Sequence, residues 1–165
     1  YRHLTTEGTD AGRGVGIHGP GGYRLCIAPM KTRWQIEGKP VLPGKPEHGC
    51  ETVGLRLDER PSVLRRNGRI FISYSASATD HHYAMGLLWA DEEADLLDPA
   101  SWTKSAQPVL RSCYDHGVYG PGHNSFTYAE DDDTVMLVFS DRHTFVKPLR
   151  RDEQGMPVFG RPSTY

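Results

Sequence analysis

The stretch "PSVLRRNGRIFISYSAS" (residues 61–77) reads as strand, turn, strand. A β-prone run ends at Arg65-Arg66, Asn67-Gly68 breaks it, and a second apolar run from Ile70 follows. "NSFTYAE" (124–130) and "DDTVMLVFSDR" (132–142) repeat this plan around an acidic turn. "GGYRLCIAPM" (21–30) matches the second half of the same unit. Each hairpin is followed by more short strands: "YAMGLLWA" (83–90) and "QPVLRS" (107–112), then "HTFVKPLRRDE" (143–153) and "PVFGRP" (157–162). Four short strands per unit, repeated, predict the blades of a β-propeller, although a β-sandwich gives similar punctuation. The expected fold is therefore all-β: a single domain over residues 1–165, holding about two and a half four-stranded antiparallel blades. "IEGKPVLP" (36–43) belongs to the broken first blade. Residues 1–22 are expected to be irregular and glycine-rich. Only 91–101 looks helical, and Pro99 limits it to about two turns.

The composition narrows the function classes. The 165-residue chain has 19 Lys+Arg against 21 Asp+Glu, a net charge of −2. Its basic residues cluster no further than pairs such as Arg65-Arg66 and Arg150-Arg151, which excludes a nucleic-acid face. No apolar run approaches the ~20 residues of a membrane helix, and no signal-peptide pattern is present. The compartment, cytoplasmic or exported, does not follow from the sequence. Cys26, Cys50 and Cys113 form no CxxC pair and read as buried free thiols. Gly14, Gly16 and Gly19 make a formal GxGxxG, but no strand precedes it and Pro20 follows where a helix should begin, so a dinucleotide site is rejected.

The candidates for chemistry come from superposing the two hairpins. Ser62 falls on Ser125, and Glu59-Arg60 fall on Gly122-His123, at the entry to the first strand of adjacent units. In a propeller those entries face a shared central channel, so the pattern links Glu59 with His123. A carboxyl at a partly enclosed channel mouth is suited to protonating a glycosidic oxygen. The histidine could orient a water, a hydroxyl or a metal. Asp80-His81-His82 resembles a metal cluster, but adjacent side chains point apart, and a surface turn is expected. Asp131-Asp132-Asp133 is expected to be a solvated turn tip. Of Trp34, Trp89 and Trp102, at least two are expected in the core.

"ERPSVLRRNGRIFISYSASATDHHYAMGLLWADEEADLLDPASWTKSAQPVL", "YGPGHNSF" (119–126) and "RHTFVKPLRRDEQGMPVFGRP" together resemble glycoside hydrolase family 43, in its α-L-arabinofuranosidase and β-xylosidase branch. The similarity runs from about Tyr23 to Pro162 and covers the C-terminal part of that family's propeller. It implies a five-bladed fold and inverting hydrolysis of arabinofuranosyl or xylosyl linkages in pentose polysaccharides or oligosaccharides. Three acidic residues would act: a base Asp, a tuning Asp and an acid Glu. By position Glu59 matches the acid and His123 the family's central histidine, near a bound metal or water. Arg142 and Ser75 are matched to the sugar pocket. No cofactor is required, and a calcium ion near His123 is the one metal the resemblance suggests. The chain departs from the pattern at Arg60, where the family has glycine. No motif supplies the base Asp, and Asp10 is the acidic residue nearest the tuning position. The sequence thus implies an incomplete site, or a non-catalytic binding or assembly subunit. A homodimer could complete the ring.

Overall fold

The computed structural model describes residues 13–17, 23–32 and 34–163. The strands, in chain order, are β1 (Arg13–Ile17), β2 (Leu25–Thr32), β3 (Gln35–Ile36), β4 (Val41–Gly44), β5 (Asp58–Arg66), β6 (Arg69–Ala76) and β7 (Ala84–Asp91). Then come β8 (Thr103–Lys104), β9 (Gly122–Tyr128), β10 (Val135–Ser140), β11 (Thr144–Pro148), β12 (Arg150–Arg151) and β13 (Pro157–Val158). They form a sheet of β1–β4 centred on β2, an antiparallel meander β5-β6-β7-β8, a three-stranded sheet β11-β10-β9, and the hairpin β12-β13. This is an all-β partial propeller. No helix among the described residues is long and apolar enough to cross a membrane.

The β5–β8 sheet is the centre because both its faces are apolar. Side chains alternate along a strand, and nearly all of β6 is buried. Ile70, Ile72, Tyr74 and Ala76 pack with Leu25 and Ile27 of β2 and with Leu96 and Trp102. Phe71, on the opposite face, packs with Leu137 and Phe139 of β10. Ser73 and Ser75 share the Phe71 face and are fully buried. One strand thus cements two interfaces, apolar on one side and ending in hydroxyls on the other. The hairpin between β5 and β6 closes at Asn67 and Gly68, with φ of 54° and 70°, as a two-residue turn requires.

Several local expectations change. Part of the glycine-rich segment, Arg13–Ile17, pairs with β2. Gly14 and Gly16 therefore sit inside a strand, not at a phosphate-binding turn; Gly19 and Asp10 lie outside the described residues. "QPVLRS" does not supply the fourth strand of the central sheet. That place goes to β8, and Leu110 makes only an isolated bridge to Met85. Residues 91–101 form turns and one 3-10 turn at Pro99–Ser101. Asp95 and Asp98 accept hydrogen bonds from the backbone N–H groups of Leu97 and Ala100, a local alternative to helix. Cys113 is buried, whereas Cys26 and Cys50 are only partly so, and none of the three is in a disulfide. Trp102 is buried and Trp89 packs against the second core, but Trp34 is 78% exposed. Asp131 ties the turn between β9 and β10 by accepting from Asp133 N–H and from the N–H and hydroxyl of Thr134.

Beneath β5 lies a buried ionic group that the sequence does not announce. Lys104 Nζ stands 2.7 Å from Glu51 Oε1 and 3.2 Å from Asp58 Oδ2. Glu51 also accepts from the Tyr74 hydroxyl at 2.6 Å and from two backbone N–H groups, Glu47 and His48. Burial alone would raise the Glu51 carboxyl, but these bonds hold it below its ordinary value. Asp58 shares the same ammonium at longer range, and its Oδ1 has no hydrogen-bond partner. Burial therefore dominates there and pushes Asp58 up to about 7, against the opposing pull of Lys104. One cation serves two buried carboxyls, and Glu51 has the larger share.

Removing one partner of a buried ion pair costs about 3–5 kcal/mol. Lys104→Met should lose stability of that order in urea unfolding near neutral pH; a loss below about 1 kcal/mol would show that the carboxyls do not depend on the ammonium. Asp58 holds its proton more tightly in the fold than in the unfolded chain. Its contribution is fully present below about pH 4 and is lost as the pH rises through about 7. Asp58→Asn should flatten that part of the stability–pH curve, and a variant with the wild-type slope would exclude Asp58 as its source.

Candidate functional site

The two hairpins share a bulge. Glu59 pairs with Ser75 and Ser62 with Ser73, so β5 takes three steps where β6 takes two. Gly122 pairs with Ser140 and Ser125 with Val138, the same irregularity in β9 and β10. The residue after each first pair is left-handed: Arg60 at φ 52° and His123 at φ 49°. The superposition read from sequence thus has a backbone counterpart, with Arg60 as the structural equivalent of His123. It extends further. Ser77 and Arg142, each two residues beyond the paired serine, have φ of 70° and 88°. Bulges at strand ends re-aim side chains, and here they turn the ends of both hairpins toward each other.

The groups meet at a residue that the sequence reading passed over. Tyr83 is 5% exposed. Its hydroxyl lies 2.6 Å from Glu59 Oε1 and 3.1 Å from His123 Nδ1. Ser75 Oγ accepts from the His123 backbone N–H at 2.9 Å. Burial, then the bond to Glu59, raises the Tyr83 phenol well above its ordinary value, so it remains an O–H donor. One turn of the pleat away, Asn124 Nδ2 donates to Ser73 Oγ at 2.7 Å, and Ser73 donates to the Ser62 carbonyl. The hydroxyl face of β6 is therefore joined to the start of β9 by side-chain and backbone bonds.

This close approach explains the glycines of "YGPGHNSF". A Cβ at Gly122 would lie 2.2 Å from the Tyr83 ring and 2.9 Å from Ser75 Oγ. At Gly120, with φ of 61°, it would lie 2.2 Å from the Asp80 carbonyl oxygen. Density of turn residues is visible in sequence; what the glycines make room for is not.

Tyr83 and His123 line an open cleft of about 700 Å³ together with Asp80, Tyr119, Asp141 and Arg142. Arg142 is exposed at this cleft, while Ser75 is buried beneath it. Glu59 is not among the lining residues and reaches the cleft through Tyr83. Asp80 accepts from the His82 backbone N–H at 2.7 Å and lies 2.9 Å from His82 Nδ1. The turn brings donor atoms of Asp80, His81 and His82 within 4.8 Å of one another, all exposed, where diverging side chains were expected. Asp141 accepts from Tyr119 N–H at 3.0 Å, and its other oxygen is buried without a hydrogen-bond partner.

The sequence profile described as Glycosyl hydrolases family 43 matches residues 10–162. The chain belongs to that family. It is 43% identical over 153 residues to "Alpha-L-arabinofuranosidase 43" of Humicola insolens, a match covering 84% of this chain and 32% of that one. It is 49% identical over 119 residues to an extracellular exo-alpha-(1->5)-L-arabinofuranosidase of Streptomyces avermitilis, covering 72% and 25%. Among solved structures, an α-L-arabinofuranosidase from Lactobacillus brevis superposes with a TM-score of 0.91 at 42% identity, over 99% of this chain and 56% of that one. A thermostable family-43 glycoside hydrolase, at 21% identity and TM-score 0.76, shares the fold. This family-43 chain thus spans about a quarter to just over a third of the length of the curated relatives it matches.

Overpacking a tight core site costs roughly 1–3 kcal/mol. Gly122→Ala should lose at least that much in urea unfolding, because the buried Tyr83 ring and Ser75 cannot both give way. A neutral Gly122→Ala would show that β9 does not pack on Tyr83 as described.

Proposed function

We propose that this family-43 chain carries the acid-bearing part of an α-L-arabinofuranosidase site, acting on pentose-containing oligosaccharides or polysaccharides. The observation that carries this is the Tyr83 hydroxyl, which gathers Glu59 and His123 beside a cleft bearing Arg142. In this reading Glu59 donates a proton to the glycosidic oxygen as the bond to the sugar breaks. Arg142 and Ser75 position the sugar, Arg142 directly from the cleft and Ser75 through its bond to His123 N–H. A cleft of about 700 Å³ suits a small sugar.

Inverting hydrolysis also needs a base carboxylate on the far side of the sugar, roughly 6.5–9.5 Å from the acid, to activate water. Asp80 is engaged with His82, and Asp141 with Tyr119 N–H. Neither has a second residue to mark it as a base, so the base and the tuning carboxylate are proposed to come from outside the described residues. Xylosyl linkages are the alternative substrate within this reading. Calcium takes six to eight oxygen ligands. The Tyr83 and Ser75 hydroxyls beside His123 fall short of that by themselves.

A second reading is a non-catalytic carbohydrate-binding or assembly subunit. It is favoured by the outer side of the β9–β11 sheet, where Val138 pairs with Val146 and Val146 is 53% exposed. A further sheet, from a second copy or another chain, would pack there.

Turnover of 4-nitrophenyl α-L-arabinofuranoside and β-D-xyloside, with binding of arabino-oligosaccharides, separates the two readings. The first expects release of arabinose from arabino-oligosaccharides, whose poor leaving group needs the acid, to fall roughly 100-fold or more in Glu59→Gln, with binding retained. Unchanged release in Glu59→Gln removes the acid assignment. Binding without turnover supports the second reading, and absence of both overturns both.

A further inference from the structure

We propose that Asp80, His81 and His82, on the turn leading into β7, form a binding site for a divalent transition-metal ion of the zinc, nickel or copper class. The site is independent of the glycosidase reading, and no part in hydrolysis is assigned to the ion.

In an extended strand, neighbouring residues send their side chains to opposite faces. The turn gathers these three instead. Donor atoms of all three residues lie within 4.8 Å of one another. The two imidazole centroids stand 3.9 Å apart, with planes tilted by 41°. Asp80 Oδ1 lies 2.9 Å from His82 Nδ1, so a carboxylate oxygen and a ring nitrogen face each other across one hydrogen. A metal ion would take the place of that hydrogen. The His82 backbone N–H, foremost, holds the Asp80 carboxyl below its ordinary value and keeps it an ionised oxygen donor. Around a tetrahedral zinc ion, ligand atoms stand roughly 3.4 Å apart. Small rotations of the exposed side chains close the remaining gap.

The backbone beneath these side chains is fixed independently of an ion. Tyr83 N–H donates to the Asp80 carbonyl at 3.0 Å, and His82 N–H to Asp80 Oδ1 at 2.7 Å. Ser112 Oγ donates to the His81 carbonyl at 2.6 Å and accepts from Gly120 N–H at 2.8 Å. The turn is thus pinned to a second segment, and ligation has to order side chains only.

The donor set selects the metal. Calcium and magnesium take oxygen ligands, whereas imidazole suits zinc, copper and nickel. Three protein ligands leave a further position for water or another ligand, unlike the closed four-ligand structural site. Asp80 and His81 line the cleft that holds Tyr83. His81 and His82 line an adjoining cavity with Cys50, whose thiol is not in the group of converging donors.

The test is a zinc titration of the full chain, free of any affinity tag and labelled with nitrogen-15 histidine. It is followed by long-range proton–nitrogen correlation at a pH of about 8, where an ordinary imidazole is neutral. The His81 and His82 ring signals are assigned by their loss in His81→Asn and His82→Asn. In the wild type, zinc should shift both sets together, and excess calcium should not reverse the shift. Affinity is read from these rings, so zinc held elsewhere on the chain does not enter. Each histidine variant, followed on the remaining ring, should bind at least about tenfold more weakly. Asp80→Asn should do the same, because asparagine keeps an acceptor for the His82 N–H but loses the charge. Cys50→Ser should leave the affinity unchanged. Where a variant loses its near-ultraviolet circular dichroism, the others decide. Ring signals that zinc does not move overturn the proposal. So does an unchanged affinity in the histidine or Asp80 variants, a loss in folded Cys50→Ser, or displacement by calcium.

Discussion

Tyr83 occupies the space that a side chain at residue 122 would need. That single packing constraint draws β9 onto the face of β6, because the Gly122 backbone can come close only where no Cβ intervenes. Once β9 is that near, its His123 N–H reaches Ser75 and its Asn124 side chain reaches Ser73. Small residues on both strands make the approach, and serine hydroxyls satisfy the buried His123 N–H and Asn124 Nδ2, while Asn124 Oδ1 is buried with no hydrogen-bond partner. The site is a consequence of how two sheets seal against each other.

The other face of β6 shows the same economy with different chemistry. Tyr74 points away from Ser73 and Ser75 because successive side chains alternate. It enters the apolar core shared with β2, where its hydroxyl bonds to buried Glu51. Lys104, from the edge strand β8, supplies the positive charge that Glu51 and Asp58 need. Asp58 immediately precedes Glu59, so the ionic group anchors the first residue of β5 while the bulge aims the second. Stability and site geometry are therefore linked through one strand end.

Much of the fold was legible in the sequence. Hairpins with alternating apolar residues around Asn67-Gly68 and around the Asp131 turn identified β5, β6, β9 and β10, since local pattern and turn chemistry agree there. The misreadings fall where that agreement fails. Thr103-Lys104 is too short and too polar to look like a strand, and it pairs because β7 leaves an open edge beside it. Residues 91–101 carry helix-forming residues, but Asp95 and Asp98 bind their own backbone instead. Superposing the repeats places Glu59 and His123 together, and the shared bulge supplies the physical basis of that superposition; Ser75 enters only through the family resemblance. Tyr83 escaped notice because it lies at a strand entry in "DHHYAM", where a tyrosine reads as ordinary core.

By itself the sequence determined the all-β class, the repeated hairpins, the resemblance to family 43 and the equivalence of the two strand entries. The class, the hairpins and the equivalent strand entries depend on local periodicity and spacing, and the resemblance on the residue identities of long motifs; a linear chain records both. Only the tertiary structure decided that one phenol would join Glu59 to His123, that one lysine would serve two buried carboxyls, and that the glycines of "YGPGHNSF" make room for a ring 39 residues away from Gly122. Those features depend on which faces meet and at what distance. A hydrogen bond or a steric gap between residues far apart in sequence comes into existence only when two sheets close on each other.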